Sequence, residues 1–203
     1  MAERLAIQEF DPGATQSGES GSDFNTARDL SNYGPDGPQT FQAENPLPLA
    51  PATHNIDWQK VQDFLTACEN SLPRVGYKLG AKVPNDNSVP GVDFTNVDCS
   101  GFVRAAIRRS TNPVATIPDG SVVQHDWVKA KGFAASSVAD GNVAEGKVRI
   151  AFLEPQDSNT GIGHVVLIRN RSTSESHGGL GPDSRPFDGK GWQVNAKVYI
   201  LAN

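Results

Sequence analysis

The stretch Asp98-Cys99-Ser100-Gly101-Phe102-Val103-Arg104-Ala105-Ala106-Ile107-Arg108-Arg109 reads as the opening of a helix, and the rest of the chain can be placed around it. Phe102, Val103, Ala106 and Ile107 recur at helical spacing and give it a buried face. Arg104, Arg108 and Arg109 sit towards its C-terminal end, where positive charge suits the helix dipole. Upstream, Asp57 is placed to cap a helix whose apolar residues Trp58, Val61, Phe64, Leu65 and Cys68 repeat every three or four positions. Ile56 is placed to staple its start, and the helix is expected to end before Pro73. Residues 80 to 97 are rich in Gly, Pro and Asn and read as a loop. Downstream, a third helix is predicted over Ser121 to Lys131, with Val123, Trp127 and Ala130 inward and Gly132 as its stop. The pattern then turns to strands. Val148, Ile150 and Phe152 alternate, Val165 to Ile168 is a short apolar run, and Val194, Ala196, Val198 and Ile200 alternate again. Helices first and strands later predict an α+β fold, with N-terminal helices packed on a mainly antiparallel sheet.

Composition bounds what such a chain can be. Its 203 residues suit one domain plus an extra segment. No stretch approaches the ~18 consecutive apolar residues of a membrane-spanning helix. The formal charge of −5 argues against nucleic acid as a partner, since that binding leaves a basic footprint. Two cysteines allow at most one disulfide and no four-Cys zinc site, and four histidines without short spacing suggest no metal. The charge is unevenly spread. Residues 1 to 52 hold eight acids and two bases with six prolines and five glycines, and no apolar periodicity survives there. They read as a flexible acidic arm or linker, and residues 53 to 203 as the folded domain. The N-terminal MAERLAIQEFDPG lacks a basic region followed by an apolar run, so no Sec-type signal is read there.

The two cysteines read differently. Cys68 lies on the apolar stripe of the first helix and is expected to pack as a small hydrophobe. Cys99 falls in the first turn of the second helix, where unpaired N–H groups and the positive dipole end favour thiolate over thiol. A nucleophilic cysteine needs a base. His164 begins the strand HVVLIRN after the turn Gly161-Ile162-Gly163, and His177 follows in SESHGG, at one end of the next strand of a hairpin. Adjacent strands bring two such rings together, and a cysteine activated by one histidine that a second polar group orients is the usual arrangement of acyl transfer. Spacing alone is weak support for this. His54 falls in the arm and His125 on an amphipathic helix, both read as structural or solvent-facing.

At these residues the sequence resembles the NlpC/P60 family of papain-like cysteine peptidases, from about Val75 to Leu201. Asp98-Cys99-Ser100-Gly101-Phe102-Val103 is very similar to the family's D-C-S-G-[FL]-[VT] nucleophile motif. Gly76-Tyr77-Lys78-Leu79-Gly80 looks like its G-x-P-Y-x-W-G-G segment, with Leu79 in place of the usual Trp. Gly163-His164-Val165 and Ser176-His177 resemble its base strand and third-residue strand. The resemblance implies a papain-like fold, Cys99 as nucleophile, His164 as general base and His177 as the residue that orients it, with no cofactor or metal. It also implies Tyr77 at the oxyanion, and Tyr77, Asp98 and Ser100 as a holder for the free amine of an L-Ala-γ-D-Glu stem peptide. On the residues alone, Asp98 and Ser100 read equally well as helix caps.

The function expected on this footing is a cysteine amidase or endopeptidase acting on peptidoglycan stem peptides in the periplasm or outside the cell. A specialised secretion or phage route would deliver it, and an immunity or delivery protein is its expected partner. Three alternatives stand beside it: an acyltransferase or transglutaminase-like enzyme with the same cysteine and histidines, an inactive module that binds cell-wall peptide, and an interaction protein whose working part is residues 1 to 52. The arm carries its own test. With so little apolar surface to bury, ordering residues 1 to 52 costs more entropy than it returns. A chain beginning at Thr53 should therefore melt cooperatively at a temperature close to that of the full chain, whereas a large drop would show that the arm packs on the domain.

Overall fold

The computed structural model describes residues 55 to 202. The acidic arm and His54 lie outside the described residues. The chain forms three principal helices followed by a six-stranded antiparallel sheet, as the order of patterns predicts. Helix α1 spans Trp58–Asn70, α2 Cys99–Ser110 and α3 Ser121–Ala130. A two-residue strand β1, Ala135–Ser136, and a short helix α4, Val138–Gly141, lead to β2, Val148–Leu153. Strands β3, His164–Arg169, and β4, Ser172–His177, form a hairpin. Strands β5, Gly181–Asp183, and β6, Lys197–Ala202, complete the sheet in the order β1-β6-β2-β3-β4-β5. None of the described helices is long and apolar enough to cross a membrane.

Local chemistry accounts for the helix starts. The Asp57 side chain accepts from the Gln59 N–H and caps α1; that of Asp98 accepts from the Gly101 N–H at 2.6 Å and caps α2. Ile56 is buried, and its backbone pairs with Thr111 just past the end of α2, which ties the two helices together. Gly132, at φ +70°, takes the left-handed turn that ends α3.

The sheet separates two apolar clusters because alternate residues of a strand face opposite sides. Ile150, Phe152, Val165 and Leu167 meet Phe64, Phe102, Val103 and Ile107 of the helices. Ala151, Val166, Ile168 and Val198 turn the other way and are covered by Phe187, with Trp192 packed against them. Val194, expected in the last strand, instead lies exposed in a 3-10 turn, Gly191–Asn195, and β6 begins only at Lys197. Gly191 has φ +56°, and the turn it opens swings Trp192 onto the sheet at the expense of Val194.

Strand β4 is the unexpected element. Its Thr173, Ser174, Glu175 and Ser176 are all buried although none is apolar. Each is held by a hydrogen bond: Ser174 accepts from the Gln62 amide and Ser176 donates to the Val97 carbonyl, so the strand's helix-facing side is polar and satisfied. A two-residue turn with Asn170 at φ 52° and Arg171 at φ 67° joins β3 to β4 and sets their register, pairing Leu167 with Ser174.

Gly181, at φ +94°, lets β5 approach the segment that leads to Tyr77. A Cβ there would stand 2.5 Å from the Val75 carbonyl oxygen and 2.8 Å from the Gly76 carbonyl carbon. Gly181→Ala should therefore cost roughly 1–3 kcal/mol in urea unfolding. Gly178→Ala, which meets nothing within 4 Å, should be near neutral; equal losses in the two variants would contradict this close approach.

Candidate active site

The start of α2, the start of β3 and the middle of β4 converge at one end of the sheet. Cys99 occupies the first residue of α2, and its thiol is in hydrogen-bonding reach of the His164 imidazole. His164 is the first residue of β3, and its Nε2 lies 2.7 Å from Oε2 of Glu175. With Nε2–H given to the carboxylate, Nδ1 is the nitrogen left to face the thiol.

Glu175 is wholly buried, a position a carboxylate holds only when it is paired and hydrogen-bonded. Arg185 forks onto it, Nε to Oε1 at 3.1 Å and Nη2 to Oε2 at 2.7 Å, and the Thr173 hydroxyl donates to Oε1 at 2.6 Å. Burial alone would raise the Glu175 carboxyl, but the hydrogen bonds from His164 and Arg185 outweigh it and hold the group down to about 2. For His164, burial opposes the charged ring; hydrogen bonds to Cys99 and Glu175, with their negative charge, overcome it and push the imidazole up to about 9. Trp192 stands edge-on to the ring, with centroids 5.2 Å apart, and closes the side of the imidazole away from the helices.

The orienting residue is therefore Glu175 and not His177, a correction to the expectation from sequence. The β3–β4 ladder ends at the Leu167–Ser174 pair, and from Glu175 onward β4 pairs with β5 instead. His177 leaves with it. Its Nδ1 lies 3.0 Å from the Gly178 carbonyl and its Nε2 3.5 Å from Asp183. Glu175 shares a strand face with His177 two positions on, so alternation places it correctly, but a strand spelled Ser-Thr-Ser-Glu-Ser shows no apolar pattern to reveal that alternation.

Asp98 and Ser100, expected to hold a substrate amine, flank Cys99 at the start of α2. Both are buried, and the ammonium they hold belongs to the chain itself. Lys82 Nζ lies 2.5 Å from Asp98 Oδ2, 2.9 Å from Ser100 Oγ and 3.0 Å from Asp119 Oδ1, which satisfies its three donors. Asp98 further accepts from the Gly80 and Gly101 N–H groups. The cap reading thus accounts for Asp98, and in this structure the cation beside Asp98 and Ser100 is Lys82. Tyr77 does come near Cys99: burial first, then the negative charges of Cys99 and Asp98, raise its phenol above the usual range.

Cys68 and His125, read from the sequence as lying outside the site, are away from this centre. Cys68 is buried in the main core, where loss of solvation pushes its thiol up to about 12. His125 is buried on α3, between Tyr199 and Glu154. Among the described residues no group of three or more His, Cys, Asp or Glu side chains is placed to hold a metal ion.

No family model matches the chain, and no curated protein matches it. The geometry carries its own prediction. A thiol at a helix start beside an imidazole is more reactive than one buried in an apolar core, so iodoacetamide should alkylate Cys99 while Cys68 stays inert. Glu175→Gln should slow that reaction by tenfold or more and His177→Gln should leave it nearly unchanged. The pair also sets a stability window. The raised His164 contributes fully below its unfolded value of 6.5 and is lost as pH rises through about 9. The depressed Glu175 contributes above its unfolded value of 4.5 and is lost as pH falls towards about 2. Melting temperatures should peak between those limits, and the penalty for Glu175→Gln should shrink towards both ends.

Proposed function

We propose that the chain is a papain-like cysteine amidase or endopeptidase that hydrolyses amide bonds in bacterial peptidoglycan stem peptides. The observation that carries the reading is the line Cys99–His164–Glu175, a thiol at a helix start facing an imidazole that a buried carboxylate holds. The substrate class comes from the likeness of Asp98-Cys99-Ser100-Gly101-Phe102-Val103 to the NlpC/P60 nucleophile motif.

In this reaction the Cys99 thiolate attacks the carbonyl carbon of the scissile amide. The developing oxyanion meets the free N–H groups of the α2 start and the Tyr77 phenol. The His164 imidazolium gives its proton to the leaving amine, which departs as the thioester forms. The neutral ring then takes a proton from water, the hydroxide attacks the thioester, and the acid product leaves with Cys99 restored. Glu175 stays ionised throughout, fixing the tautomer and balancing the imidazolium, and Arg185 keeps that carboxylate in place. Because Lys82 already neutralises Asp98, a free substrate amine finds no partner there, and stem peptides still joined to glycan become acceptable substrates.

Purified protein incubated with intact sacculi should release fragments identifiable by mass spectrometry, and Cys99→Ala should release none. N-acetylated L-Ala-γ-D-Glu-diaminopimelate should be cut at least as fast as the peptide with a free amine. Strong preference for the free amine would show that Lys82 yields its place to substrate. Failure on every cell-wall substrate, despite a reactive Cys99, would remove the hydrolase reading in favour of acyl transfer.

A further inference from the structure

Helix α3 reaches the neighbours of both Cys99 and His164. At its first residue, Ser121 stands against Gly163, which precedes His164: a Cβ on Gly163 would lie 2.8 Å from Ser121 Oγ and 3.3 Å from the carbonyl oxygen of Leu153, the register partner of His164. One turn on, Gln124 meets Ser100, which follows Cys99: its Nε2 donates to the Ser100 carbonyl at 3.0 Å. The wall beside Gly163 is thus the same helix that holds the start of α2. Gly120 gives α3 no side-chain cap, so its placement depends on such contacts.

Gln124 has no exposed surface. Both amide hydrogens are used, the second on the Pro118 carbonyl, also at 3.0 Å. Its Oε1 is buried with no hydrogen-bond partner among the described residues. The amide has no better orientation, because turning it over would set Oε1 against two carbonyl oxygens. A buried acceptor left bare lowers stability, and Met, an unbranched apolar side chain of similar length, would fill the place without one. What Met cannot supply is the double donation. It joins the first turn of α2 to the segment ahead of α3, where Asp119 holds Lys82. Two further ties run between the same parts, Arg104 Nε to the Ile117 carbonyl at 3.3 Å and the Lys82 ammonium on Asp98 and Ser100, but these hold α2 by its side chains. Gln124 holds the main chain next to the thiol.

We propose that Gln124 is a positioning residue for Cys99: by clamping the Ser100 carbonyl it fixes the first turn of α2 where the thiol meets the His164 imidazole. The proposal rests on Cys99 and His164 as the reacting pair of the proposed hydrolase, and not on which bond is cut. Helix ends fray, and a misplacement of about 1 Å between reacting groups costs up to ~100-fold in rate. Gln124 acts through that turn and not on the reacting atoms.

The test uses the full chain and three readouts that need no substrate: the melting temperature, the rate at which iodoacetamide alkylates Cys99, and the ring nitrogen resonances of His164 by NMR. Gln124→Met should slow alkylation by roughly tenfold or more and move the His164 signals towards those of Cys99→Ala. Gln124→Glu, whose carboxyl is protonated when buried and keeps one donor, should fall between Gln124→Met and the wild type. Val123→Ala, which removes core volume one residue away on the same helix, should lower the melting temperature yet leave alkylation and the His164 signals near wild type. Wild-type alkylation and ring signals in Gln124→Met overturn the proposal, and so does slowing in Val123→Ala as large as in Gln124→Met. Loss of the fold in both Gln124 variants overturns it too, since the clamp would then serve stability alone. Failure of the wild-type chain on every peptide, with these rate and signal changes observed, removes the hydrolase reading and leaves the positioning role in place.

Discussion

A carboxylate with no exposed surface is a demanding thing to fold around, and the arrangement near Cys99 depends on how the chain meets that demand at Glu175. The charge is stable only because Arg185, Thr173 and His164 all donate to it, and removing one partner of such a buried pair costs about 3–5 kcal/mol. Those three donors come from three parts of the chain. Thr173 lies on the same strand, His164 on the neighbouring strand, and Arg185 just beyond β5, whose own ladder with β4 brings it into range. The backbone of residues 173 and 185 is joined as well, Thr173 N–H to the Arg185 carbonyl at 2.8 Å. Satisfying the carboxylate therefore fixes the hairpin, the edge strand and the His164 ring together.

A comparable closed network holds the other half of the site. Lys82 reaches across from the loop before α2, and its ammonium joins the helix cap Asp98, Ser100 of the first turn and Asp119 ahead of α3. Gly101 makes room, since a Cβ there would press on the Ala81 carbonyl and the Lys82 stem at 3.0 and 3.1 Å. A loop that reads as irregular is thereby pinned to the start of α2. The same contact changes the chemistry on offer, because a carboxylate already matched by a lysine has little to give an incoming amine. Thus the thiol is framed on one side by an internally neutralised cap and on the other by an imidazole whose charge is favoured.

Much of this was legible in the residues. The capped, amphipathic starts at Asp57 and Asp98 marked both helices, and the first-turn position of Cys99 set it apart from Cys68 by local geometry alone. His164 at the head of an apolar strand was legible for the same reason, as an apolar run and its boundary are local properties. Strand β4 was not, because its buried face is built from Ser, Thr and Glu whose burial depends on partners far away in sequence, Gln62 and Val97 among them. Val194 misled for the converse reason: it continues an apolar alternation, yet Gly191 opens a turn there and the apolar place goes to Trp192.

The sequence by itself determined the order of helices and strands, the α+β class and the two side chains that meet at the sheet end, since capping, periodicity and first-turn electrostatics act within a few residues. Only the tertiary structure decided which acid orients His164, which cation occupies Asp98 and Ser100, and what wall stands beside Gly163. Each of those is a contest among groups distant along the chain, settled by where a ladder stops and by which partner can reach a buried charge. The β3–β4 ladder stops one pair short of Glu175, so Glu175 meets the imidazole and His177 turns away to Asp183. Lys82 reaches the Asp98 carboxylate because a loop of eighteen residues folds back over Gly101, a closure that no local pattern encodes.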